Sequence, residues 1–90
     1  MTSNTPATRI LVVDDEVSMT SLLKDVLEGL GYQVPAVANS GLEAIHKAGE
    51  LKPDLILMDI LLGGDTDGVA AAEQIRSQFN IPIIYVTGYA

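Results

Sequence analysis

Two of the most apolar runs in the sequence stop on carboxylates. "RILVVDD" (9–15) closes on Asp14 and Asp15, and "DLILMD" (54–59) closes on Asp59, just ahead of the glycine-rich, acidic stretch "ILLGGDTDG" (60–68). Runs this short and this apolar read as strands buried on both faces, so each acid stands where such a strand emerges. Carboxylates offer only oxygen ligands. Gathered together they suit a hard divalent cation that keeps several waters and takes an anionic substrate into its shell, which is the preference of Mg²⁺. Two like charges about 4 Å apart cost roughly 4 kcal/mol at an effective dielectric of about 20, so a cluster of acids calls for a counter-ion. A single aspartate at a strand end more commonly caps a helix or solvates a loop. Asp14, Asp15 and Glu16 could do no more than serve the first turn of a helix starting at Val17. The two readings part on whether the three acids meet.

That depends on the elements around them. From Val17 the apolar spacing changes to three and four: Met19, Leu22, Leu23, Val26, Leu27 and Leu30 form the inward stripe of an amphipathic helix stopped by Gly31. "YQVPAV" (32–37) is a weaker strand, and Pro35, which cannot donate to a ladder, sends it to a sheet edge. "SGLE" (40–43) has capping-box form and opens a helix with Leu42, Ile45, Ala48 and Leu51 inward, ended before Pro53. Asp67 caps a third helix with Val69, Ala72, Ile75 and Phe79 on one side, and "IPIIYVT" (81–87) is the fourth strand, Pro82 at its start. Strands alternating with helices in this way mean an α/β domain with a mostly parallel sheet. The first and third strands are the most apolar and therefore central, so the order is 2-1-3-4. In such a sheet ligands bind outside the carboxyl ends of the strands where the order reverses. The reversal lies between strands 1 and 3, and their ends carry Asp14, Asp15 and Asp59. The three acids are expected to meet there.

Composition narrows the class. Ninety residues, 48% of them hydrophobic, make one small globular domain, expected over 9–90 behind a disordered polar tail at 1–8. A net charge of −7, with only five scattered basic residues, argues against a nucleic-acid or anionic-membrane surface. There is no cysteine, hence no disulfide framework or thiolate metal site. No run approaches transmembrane length and the N-terminus is not signal-like, so the expected location is cytoplasmic.

"ILVVDDE" (10–16), "PDLILMDI" (53–60), "DG" (67–68) and "IPIIYVTGYA" (81–90), in that order, resemble the receiver domain of two-component response regulators. "LMDILLGGDTDGVAAAEQIR" is similar to receivers attached to hybrid sensor kinases or standing alone in phosphorelays. The resemblance implies a flavodoxin-like doubly wound sheet whose fifth strand and last two helices are missing here. It also implies a phosphoacceptor signalling domain rather than an enzyme in its own right. Asp59 matches the phosphoacceptor, and a sensor histidine kinase or histidine phosphotransfer protein is the implied donor. Asp14 and Asp15 match the acids that hold Mg²⁺ with Asp59, the backbone carbonyl of Leu61 matches a further ligand, and Thr87 matches the switch hydroxyl.

The sequence departs from the family pattern at Leu62-Gly63-Gly64, where a Met/Leu-Pro pair is common, and the family lysine would lie beyond Ala90. Two other classes stay in view. One is a non-phosphorylated pseudoreceiver acting as an interaction module. The other is an aspartyl phosphatase of the haloacid-dehalogenase type, which would want Asp-x-Asp where this chain has Asp59-Ile60-Leu61. The fourth strand offers an uncharged edge and one sheet face lacks cover, so the chain is expected to self-associate. His46, the sole histidine, reads as a surface residue without an acidic neighbour, and Tyr85 as packing.

Overall fold

The structure, a computed structural model, describes residues 7–60, 62 and 68–86. Strands β1 (Arg9–Val13), β2 (Gln33–Ala38), β3 (Leu55–Asp59) and β4 (Ile83–Val86) alternate with helices α1 (Val17–Gly29), α2 (Gly41–Leu51) and α3 (Gly68–Phe79). The sheet is parallel throughout, in the order β2-β1-β3-β4. This is the expected doubly wound architecture. β2 lies at the edge, where Pro35 costs no ladder bond. The β1–β2 register steps from Arg9↔Gln33 to Leu11↔Ala36, so β2 carries one extra residue beside its proline.

Strand alternation sorts the side chains into two layers. Leu11, Val13, Ile56 and Met58 face α2 and α3 and meet Ala44, Ala48, Ala71 and Ile75 in the larger core. Ile10, Val12 and Val34 face α1, packed by Leu23 and Leu27. Small residues on α2 and α3 let both helices lie close to the sheet. Gly49 extends this to the helix pair: a Cβ there would come within 2.8 Å of the Phe79 ring.

Three of the expected inward faces are corrected. On α1, Leu22, Val26 and Leu30 are exposed while Met19, Leu23 and Leu27 are half-buried. The apolar stripe is wider than the strip of sheet under it, and no other described element packs against its far side. On α2, Leu42 is 61% exposed, and Ala44 takes the inward place. On α3, Val69 is 46% exposed, and Ala71 is buried beside Ala72 and Ile75. In both helices spacing points a large residue of the first turn inward, whereas close approach to the sheet selects alanine.

β3 is not buried on both faces. Ile56 and Met58 are buried, but Leu55 and Leu57 are half-exposed. No helix among the described residues is long and apolar enough to cross a membrane. His46 is exposed as expected, yet an acid does stand beside it: Glu50, one turn on, lies 3.8 Å away. Tyr85 packs against the larger core, with the Arg76 guanidinium 5.8 Å from its ring centre.

Candidate functional site

The acids are brought together by register. β1 and β3 pair as Val12↔Leu57 and Val13↔Met58. One step further along both parallel strands sets Asp14 beside Asp59, and Asp15 follows at the head of the loop into α1. One carboxylate oxygen from each of Asp14, Asp15 and Asp59 lies within 4.8 Å of the others. Asp14 and Asp59 are half-buried and Asp15 is exposed. The expected convergence is therefore present, at the carboxyl end of the sheet where the strand order reverses.

The carboxylate of Asp14 does double duty. Its Oδ1 accepts the Glu16 N–H at 2.9 Å, which holds the turn into α1. Burial is the main influence on this group and pushes its pKa above the ordinary carboxylate value. The Glu16 hydrogen bond opposes the shift, and the negative charges of Asp59, Asp15 and Glu16 add to it. A carboxylate crowded by other acids favours whatever neutralises it, a proton or a cation.

Do these oxygens fit Mg²⁺? Octahedral oxygens at about 2.1 Å from the ion lie at most about 4.2 Å apart. Oxygens within 4.8 Å of one another need only a small contraction, or one water in place of a direct bond. The donor set is hard oxygen and carries excess negative charge. It fits.

Neighbouring elements support the loop. Asp14 N–H donates to the Ala38 carbonyl at 3.0 Å, continuing the β1–β2 ladder past the last strand residue. The Asn39 side-chain amide donates to the Asp14 carbonyl at 2.9 Å. Ser40 caps α2, its Oγ accepting the Glu43 N–H at 3.1 Å. The returning half of the expected capping box is shifted by one residue, since Glu43 Oε1 accepts from the N–H of Asn39 at 3.0 Å. Gly68 supports the site from the other side. A Cβ there would run into the Asp59 carbonyl oxygen and come to 3.0 Å from that of Ile60. Glycine is what lets α3 start against the end of β3.

Sequence reasoning missed Asn39 altogether and gave Gly68 no task. The only sequence signals were a polar residue directly after an apolar strand and the "DG" pair at 67–68. Leu61 and Thr87, expected as carbonyl ligand and switch hydroxyl, lie outside the described residues, as do Asp65 and the expected helix cap Asp67.

A family model described as "Response regulator receiver domain" matches residues 10–90. The chain is similar to the phyllosphere-induced regulator PhyR of Methylorubrum extorquens, with 39% identity over 84 residues, covering 92% of this chain and 32% of the relative. Among solved structures, the response regulator domain of Thermotoga maritima CheB superposes with a TM-score of 0.87 at 38% identity, covering 91% of this chain and 61% of that one. The signal receiver domain of a modulated diguanylate cyclase from Desulfovibrio desulfuricans gives 0.85 at 40% identity, covering 90% and 65%. The chain thus spans about a third of the curated relative named.

Proposed function

Because this chain belongs to the response regulator receiver domain family, we propose that Asp59 accepts a phosphoryl group from a phosphohistidine of a sensor kinase or phosphotransfer protein. The observation that carries the reading is the meeting of Asp14, Asp15 and Asp59, with oxygens within 4.8 Å of one another, at the reversal of strand order. In the transfer an Asp59 carboxylate oxygen forms the new P–O bond. The P–N bond to the donor imidazole breaks, and its electron pair stays on the ring nitrogen. Attack by a carboxylate oxygen needs no general base, so the protein's contribution is positioning and charge neutralisation.

Asp14, Asp15 and Asp59, with the Leu61 backbone carbonyl, would hold Mg²⁺. When bound, the ion supplies positive charge against the incoming phosphoryl oxygens. Strand β3 presents the nucleophile, while the β1–α1 turn carries two of the ligands. The phosphoryl brings about −1.5 to −2 charge and new acceptor oxygens, and Thr87 is the hydroxyl that responds to them. The domain comprises residues 9–90, acts in the cytoplasm, and works as a phosphoacceptor signalling module.

Radiolabelled phosphohistidine donor tests the assignment. Asp59→Asn is expected to abolish incorporation in the presence of Mg²⁺, and Thr87→Ala to leave incorporation measurable while removing the conformational response. Retained label in the Asp59→Asn protein would place the phosphoacceptor elsewhere.

A further inference from the structure

The residue that follows β2 holds the main chain from which two of the acids project. Asp14 is gripped at both of its backbone groups by consecutive residues of the β2–α2 junction. Its N–H donates to the Ala38 carbonyl at 3.0 Å, and its carbonyl accepts the Asn39 side-chain amide at 2.9 Å. A carbonyl can only accept, so the amide must present its NH₂ end to it.

The Asp14 carbonyl and the Asp15 N–H belong to one planar peptide unit. Fixing that carbonyl therefore fixes the plane from which Asp15 departs. This matters most for Asp15, whose carboxylate is exposed and has no hydrogen-bond partner among the described residues. Asn39 is itself held: its N–H donates to Glu43 Oε1 at 3.0 Å, and Lys47 Nζ lies 3.7 Å from the same oxygen while donating to the Val37 carbonyl at 2.8 Å. The anchor thus belongs to the first two turns of α2 and the end of β2, elements with no ligand of their own.

We infer that Asn39 is a positioning residue of the acid site: its amide, clamping the Asp14 carbonyl, orients the Asp14–Asp15 peptide and so pre-arranges both carboxylates for a divalent cation. The inference rests on the reading of the three acids as a Mg²⁺ site. It adds a residue that never touches the ion. Without the clamp the peptide can rotate, and cation binding must then order it at the expense of affinity.

Mg²⁺ titration of the whole 90-residue protein, followed by amide chemical shifts, tests this with the metal alone. Asn39→Ala is expected to weaken Mg²⁺ binding by about tenfold, the lower end of what loss of an outer-shell partner costs. Ile75→Val, a core truncation that touches none of these groups, serves as the control for lost stability, measured as unfolding in chelator. It is expected to leave the Mg²⁺ dissociation constant within about twofold of wild type. In the wild-type protein the Asn39 side-chain NH₂ resonances should shift along the same titration curve as the Asp15 amide.

Unchanged affinity in Asn39→Ala would overturn the inference, as would equal weakening in Ile75→Val or a wild-type Asn39 side chain silent to Mg²⁺. The wild-type side-chain resonances decide the matter even if Asn39→Ala does not fold. No Mg²⁺ response at all in wild type would instead overturn the underlying reading of the acids, and the two failures are told apart by that one curve.

Discussion

At Asp14 a single side chain links stability to function. Burial and the neighbouring acids hold its pKa above the ordinary carboxylate value of 3.8. The folded, metal-free protein therefore binds a proton there more readily than the unfolded chain does. By linkage, the stabilising contribution of protonated Asp14 is fully present below its unfolded pKa and is lost as pH rises through the raised folded value. At neutral pH the ionised group costs stability, a cost that Mg²⁺ held as proposed would relieve. Two outcomes are expected in thermal melts. The stabilisation by Mg²⁺ should be largest near neutral pH and should start to fall, on acidification, at a higher pH than an ordinary carboxylate would give. Asp14→Asn should raise the stability of the chelated protein by about 0.5–1 kcal/mol, a modest figure because solvent screens a half-exposed site, and should remove most of the Mg²⁺ effect. A chelated Asp14→Asn protein less stable than wild type would show that the Glu16 hydrogen bond outweighs the repulsion.

Among the elements, α3 is placed by an absence of side chain. The first helical residue, Gly68, lies so close to the Asp59 and Ile60 carbonyls that any Cβ must displace either the helix or the end of β3. Backbone cannot step aside as a flexible side chain can. Gly68→Ala is expected to destabilise the fold by about 1–3 kcal/mol, the usual range for overpacking. It should also weaken Mg²⁺ binding, because the strand end it displaces carries Asp59. Denaturant unfolding and Mg²⁺ titration of the same variant check both parts. Ser40→Ala offers the contrast. It removes the cap of α2 at a cost of about 1 kcal/mol without displacing a strand end. Stability should fall while Mg²⁺ affinity falls less than in Gly68→Ala, and only as far as loosening Glu43 frees Asn39. A Gly68→Ala variant with wild-type stability would mean the helix start can shift freely.

Across the whole molecule the two sheet faces are unequally covered. The row Val37, Val12, Leu57, Ile84 crosses the α1 face from β2 to β4. Val12 is fully buried, Leu57 is half-exposed and Ile84 is 51% exposed. Helix α1 packs on β1 and the edge strand β2, and among the described residues no helix covers the β3–β4 side of this face; Leu22, Val26 and Leu30 of α1 are exposed as well. The outer edge of β4 has no ladder partner among the described residues. Surface of this kind favours association. A preparation of these 90 residues alone is expected to elute as an oligomer in size exclusion with light scattering. A monodisperse species at 9.5 kDa with a cooperative melt would show that the open face is tolerated in water.

The sequence by itself determined the element order, the sheet order and the meeting of the acids. Those follow from local patterns: unbroken apolar runs for β1 and β3, a proline for the edge strand β2, and carboxylates at both central strand ends. It could not decide which side of each helix faces inward. Apolar spacing marks a stripe on α1, but only the width of sheet beneath it determines that Leu23 and Leu27 are covered while Leu22 and Val26 are left out. Alanine and glycine carry almost no hydrophobic signal, yet Ala44 and Ala71 are fully buried against the sheet and Gly68 lies against the end of β3. Asn39 was illegible for a related reason. Its partner is the Asp14 carbonyl, 25 positions away in sequence, and a backbone acceptor is the same for every residue type. Contacts made to main chain leave no trace in side-chain pattern, so only tertiary structure could reveal what holds the acids in place.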